Sequence, residues 1–124
     1  MENIRPAILY VDDEETNLLL FRLAFENGRE VLLANSPLEG LIKLSENKHR
    51  IVAVLSDMHM PEMNGIQFVN EARREVSDIP YFILSGYAYD DDIDKALKEK
   101  KISKFFTKPF NKVEIESSLD TKPV

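Results

Sequence analysis

The chain has no cysteine among its 124 residues. Disulfide scaffolds, thiolate metal sites and cysteine nucleophiles are therefore excluded, and a cytoplasmic home is expected. No apolar stretch approaches the length that spans a bilayer. The opening MENIRPAILYVDD lacks the anatomy of a secretory signal, because its apolar run is short and ends in acids. Basic residues are also in the minority: 16 Lys and Arg against 22 Asp and Glu leave a net charge of −6. A nucleic-acid backbone wants a basic surface, so neither direct nucleic-acid binding nor a membrane role is expected. The balance suits a divalent cation or a basic partner surface. Repeats, low-complexity tracts and linkers are missing too. The whole of 1–124 reads as one domain, with its folded core over 5–120, long enough to bury a core of its own.

What is present is an alternation. Short apolar runs occupy Ala7–Val11, Val31–Ala34, Ile51–Leu55, Tyr81–Leu84 and Ile102–Phe106. Most are continuous, as strands buried on both faces of a parallel sheet require. Helical periodicity lies between them. The segment 14–27 is rich in Leu and Phe and predicts a well-buried first helix. Leu38, Leu41 and Ile42 share a face, as do Gly65, Phe68, Val69 and Ala72, and as do Ile93, Ala96 and Leu97. Ser36 before Pro37 reads as an N-cap with proline at the first helical position. Asp90–Asp92 ahead of Lys98 suits a helix dipole, and Asn111 with Glu114 resembles a capping box. Five βα units with right-handed crossovers make a doubly wound α/β sandwich, with helices on both faces of a parallel sheet.

In such a sheet ligands bind at the carboxyl ends of the strands. The first run is followed by Asp12, Asp13, Glu14 and Glu15, and the third by Asp57. The fourth leads to Ser85-Gly86 and the fifth to Thr107-Lys108-Pro109. Several carboxylates, a hydroxyl and an ammonium can thus meet at one edge. Carboxylates gathered together repel unless a cation compensates, and Mg²⁺, which takes oxygen ligands, suits that role. A carboxylate can also act as a nucleophile toward phosphorus, giving an aspartyl phosphate whose oxygens need a cation, a lysine and a hydroxyl around them. Each residue alone has a plainer reading. Asp12–Glu15 could charge a helix start, Asp57 could be a loop acid, Ser85-Gly86 a turn and Lys108 a solvated lysine. Their order at successive strand ends sets the plain readings aside. His49 and His59, two separated histidines, make a poor metal site and are read as non-ligands through their side chains.

The blocks YVDDEE, VLSDMHMPEMNG, ILSGY and KFFTKPF resemble those of the receiver (response-regulator) domain of two-component signalling, over essentially the whole chain. The resemblance implies a flavodoxin-like, chemotaxis-type fold with strand order 2-1-3-4-5. It implies that Asp57 is the phospho-acceptor, supplied by a histidine kinase or histidine phosphotransfer protein. Mg²⁺ would be held by Asp12, Asp13, Asp57 and the backbone carbonyl of His59. Ser85 matches the hydroxyl that contacts the phosphoryl group and Lys108 the lysine that pairs with it, ahead of a cis bond to Pro109. Phe105 matches the switch aromatic, which turns inward as Ser85 moves. Such a domain is not an enzyme in the usual sense, accepting and slowly losing its own phosphoryl group. It works as a monomer or weak dimer and passes its state to an output the sequence does not identify. Three departures carry expectations. Phe105 lacks a tyrosine hydroxyl. His59 and Tyr87 put bulk beside the phosphoryl site, which should slow its hydrolysis. The stretch KEKKI has no glycine where a helix must end.

Two other functions fit parts of the pattern. A haloacid-dehalogenase-type phosphatase also uses an aspartate, Mg²⁺, a hydroxyl and a lysine, but its D-x-D-x-T falls here on Asp12, Glu14 and Thr16, and no cap domain has room. A degenerate receiver that only binds partners would not need the full set of acids, hydroxyl and lysine.

Overall fold

The computed structural model describes residues 5–86 and 89–120. Strands and helices alternate strictly. They are β1 (Ala7–Val11), α1 (Glu15–Phe25), β2 (Glu30–Ala34), α2 (Pro37–Glu46), β3 (Ile51–Asp57), α3 (Gly65–Glu75), β4 (Tyr81–Ser85), α4 (Asp91–Lys98), β5 (Lys104–Thr107) and α5 (Lys112–Asp120). The five strands form one parallel sheet in the order β2-β1-β3-β4-β5, as expected.

Two apolar cores sandwich that sheet. On one face Phe21 and Phe25 of α1 and Ile115 of α5 pack on Ile8, Tyr10, Leu55, Phe82 and Leu84. On the other, Leu44 of α2, Phe68 and Val69 of α3 and Ile93 of α4 cover Leu9, Val54 and Ile83. Every residue of β1 and β4 is buried, which is why those runs are apolar without alternation. A bulge at the start of β3 pairs Ala7 with Ile51 but Ile8 with Ala53. Val52 is left over and exposed, and the alternation of β3 is reset beyond it.

Helix ends follow the capping rules. Ser36 accepts from the Glu39 amide at 3.1 Å with Pro37 behind it, and Asp90 accepts from Ile93 at 2.9 Å. Asn111 accepts from the Glu114 amide, the anticipated half of a capping box. A complete box, Asn64 with Gln67, starts α3. The end of α4 is solved without glycine. Lys100 itself takes a left-handed φ of 60°, donating to Leu97, while Lys101 donates to Ala96 in a Schellman arrangement.

Three expectations need correction. The fifth strand begins at Lys104, and Ile102 is buried ahead of it in the turn that closes α4. α2 buries Pro37, Gly40 and Leu44 and leaves Leu38 and Ile42 exposed, because Gly40 is the position pressed against Phe68 and Val11. α1 is only half buried: Leu18, Phe21 and Phe25 face the sheet, while Leu19, Leu20 and Leu23 face outward from a single helical layer.

Candidate functional site

Asp57 is the last residue of β3 and lies opposite Leu84 in the register with β4. Its side chain is nearly buried at the carboxyl edge of the sheet. The backbone there is fixed from two sides. The Ser56 hydroxyl donates to the Asp57 carbonyl at 2.8 Å, and Gly65, at the start of α3, presses against that same carbonyl. A Cβ on Gly65 would sit 2.4 Å from the oxygen, so no other residue fits. The Gly65 amide donates to Met58 at 2.8 Å, which closes the loop between strand and helix.

Asp12 follows β1 and is fully buried, whereas Asp13 is exposed. Carboxylate oxygens of Asp12, Asp13 and Asp57 lie within 4.8 Å of one another. Three hard oxygen donors at that spacing, one reachable from solvent, fit a divalent cation such as Mg²⁺ rather than a metal that wants thiolate or imidazole. Lys108, in the turn after β5, brings the opposite charge. Its Nζ donates to Asp12 Oδ2 at 2.8 Å and stands 3.4 Å from Asp57 Oδ2. The Lys108 amide donates to the Ser85 carbonyl, and the Lys108–Pro109 bond is cis.

Electrostatics follow from that crowding. Burial, then the charge of Asp12, raises the Asp57 carboxyl above its ordinary range, against the pull of Lys108. Burial would depress Lys108, but its hydrogen bond to Asp12 and the charges of Asp57 and Asp12 prevail, so its pKa is raised. The ammonium therefore stays charged.

Ser85 ends β4, is buried and pairs with Thr107 of β5. Phe105 pairs with Ile83; its half-buried ring packs on the α2–α3–α4 side and meets Tyr89 edge-on at 5.9 Å. His59 is exposed in the loop after Asp57. Tyr87 lies outside the described residues. Thus Asp12, Asp13, Asp57 and Lys108 are brought together, Ser85 ends the neighbouring strand, and Phe105 stands back from the cluster. Sequence reasoning missed Tyr10. Counted as one more apolar strand residue, it sends its hydroxyl to Asp12 Oδ2 at 2.5 Å. A polar-tipped side chain two residues before a buried acid was the available signal.

Three acids and a lysine at the carboxyl edge of a doubly wound α/β sheet are the arrangement expected of a phosphoryl-handling domain. Comparison with known proteins makes that specific. Residues 8–120 match the response regulator receiver domain, and the chain belongs to that family. It is 39% identical over 110 residues to the transcriptional regulatory protein CpxR homolog of Haemophilus influenzae, covering 87% of this chain and 46% of that protein. It is 34% identical over 119 residues to the transcriptional regulatory protein GlrR of Escherichia coli, covering 94% of this chain and 26% of that one. The chain thus spans less than half the length of these relatives. A response regulator receiver domain protein from Clostridium thermocellum superposes with a TM-score of 0.82 at 30% identity, covering 93% of this chain and 91% of that one.

Proposed function

We propose that Asp57 accepts a phosphoryl group from the phosphohistidine of a sensor kinase or phosphotransfer protein, and that the domain works as a cytoplasmic switch. The observation that carries this reading is the Asp57 carboxylate, at the end of a central strand, 3.4 Å from Lys108 and beside Asp12 and Asp13. In the transfer an Asp57 oxygen bonds to phosphorus as the phosphorus–nitrogen bond of the donor breaks, and the departing imidazole keeps the electron pair and takes a proton. Burial raises the basicity of that oxygen, which favours attack. Lys108 neutralises charge on the transferred group, and the Ser85 hydroxyl donates to one of its oxygens. Mg²⁺ bound by Asp12, Asp13, Asp57 and the His59 carbonyl would supply the remaining positive charge. Movement of Ser85 toward the phosphoryl group leaves room for the Phe105 ring, and the population shifts toward a form read by an output domain or partner.

Intact mass after incubation with a small acyl-phosphate donor tests the reading. One phosphoryl group that depends on Mg²⁺ and disappears in Asp57→Asn is expected. An unmodified wild type, or a modified Asp57→Asn, overturns it.

A further inference from the structure

Tyr10 sits at a β1 position where any large apolar side chain would serve the core. Its hydroxyl nevertheless reaches the functional site. It donates to Asp12 Oδ2 at 2.5 Å, and Lys108 Nζ donates to the same oxygen at 2.8 Å. The other oxygen, Oδ1, accepts from the Glu14 amide at 2.9 Å. The tyrosine ring cannot drift: it is buried and stacked on Phe21 with centroids 4.3 Å apart, and Phe21 in turn contacts Phe25 and Phe110. Lys108 is therefore shared between two acids and sits closer to Asp12 than to Asp57.

We propose that Tyr10 is a positioning residue for phosphoryl acceptance: its hydroxyl holds Asp12 Oδ2 and thereby lets Lys108 leave Asp12 for the phosphoryl group on Asp57. This rests on the reading of Asp57 as acceptor and Lys108 as its counter-charge. A phosphoryl group adds negative oxygens beyond the Asp57 carboxylate, so the lysine is drawn outward. Asp12 has no exposed surface from which water could replace it. An oxygen that lost its only donor there would be a buried, unpaired acceptor, whereas one with two donors keeps a partner throughout. Tyr81 shows what a merely structural tyrosine looks like. Its buried hydroxyl donates to the Val76 carbonyl at 2.5 Å, at the opposite end of the sheet.

The test is the phosphorylation rate with a small acyl-phosphate donor, measured against Mg²⁺ concentration for Tyr10→Phe, Tyr81→Phe, Lys108→Ala and Tyr10→Phe with Lys108→Ala. Tyr10→Phe is expected to lower the rate at saturating Mg²⁺ by about tenfold, the size of one hydrogen bond to a charged group. The Mg²⁺ concentration for half-maximal rate is read in the same series, because Tyr10 also bonds a carboxylate of the candidate metal site, and a loss that saturating Mg²⁺ restores would act through the metal instead of the lysine. In the Lys108→Ala background the same substitution should change nothing further. Tyr81→Phe should melt earlier yet phosphorylate at the wild-type rate. A Tyr10→Phe rate equal to wild type overturns the proposal. So does a loss that persists without Lys108, or one that follows a weakened Mg²⁺ dependence. Should Tyr10→Phe not fold, Tyr10→Leu lacks the same hydroxyl and gives the same readings. Failure of the acceptor reading looks different: Asp57→Asn would still be labelled, or Lys108→Ala would phosphorylate like wild type.

Discussion

Replacing Asp57 by Asn should stabilise the metal-free domain. Carboxylate oxygens of Asp12, Asp13 and Asp57 lie within 4.8 Å of one another, and unit charges at that limit repel by about 3.5 kcal/mol at an effective dielectric of about 20. Asp57 faces two such neighbours, although exposed Asp13 is screened by solvent and counts for a fraction of that. Lys108 at 3.4 Å returns about 5 kcal/mol of attraction on the same scale. The charges thus come close to cancelling, and burial of an ionised carboxyl remains as a penalty, in line with the raised pKa of Asp57. Asparagine keeps the shape and discards the charge, so a gain of about 1–2 kcal/mol is expected. A carboxyl whose folded pKa is raised favours folding most when protonated, below its unfolded value, and loses that contribution as pH rises through the folded value. The gap between Asn and Asp should therefore be full at neutral pH and close under acid. Mg²⁺ should reverse the order. At a hundred times its Kd the metal adds about 2.7 kcal/mol to the wild type and less to a variant that has lost a ligand. Urea unfolding followed by far-ultraviolet circular dichroism, at several pH values with chelator or Mg²⁺, measures all of this. A less stable Asp57→Asn in chelator at neutral pH, or a gap that widens in acid, would refute the reasoning.

Two further outcomes follow from local geometry and a third from the sequence resemblance. Lys100→Gly removes a side chain from left-handed backbone and should stabilise by about 0.5–1 kcal/mol after the extra freedom of unfolded glycine is counted, a melting shift of a few degrees. The same change at Lys101, whose ion pair with Glu99 would be lost, should bring no gain. Gly65→Ala would drive a methyl into the Asp57 carbonyl; a loss of at least about 2 kcal/mol in urea and a slowed phosphorylation are expected, whereas wild-type values would show that α3 can shift freely. The pair His59→Ala with Tyr87→Ala should shorten the lifetime of the phosphorylated form, read by intact mass over time after donor removal. An unchanged decay would show that these side chains do not shield the phosphoryl group.

The continuous apolar runs of β1, β3 and β4 were legible because burial on both faces erases alternation. The order of acid, acid, hydroxyl and lysine at successive strand ends was legible because parallel crossovers bring those ends to one edge. Caps at Ser36 and Asn111 were equally readable, since a cap is a contact between residues three apart, whereas Asp90, read only as charge for the helix dipole, proved to be a cap as well. Contacts across the sheet were not. Which leucines of α1 and α2 face inward depends on the angle at which each helix lies on the strands, and Gly40 against Phe68 sets it for α2. The bulge at Val52 is a register choice between β1 and β3 that periodicity within β3 cannot announce. Lys100 adopts the conformation glycine would favour, because the chain must turn there to bring Ile102 into the core. The sharing of Lys108 between Asp12 and Asp57, with Tyr10 on the same oxygen, joins three distant parts of the chain, Lys108 and Asp12 lying 96 positions apart. Sequence named the charged groups, because strand ends are a local property; only packing decided which of them hold one another and through which atoms.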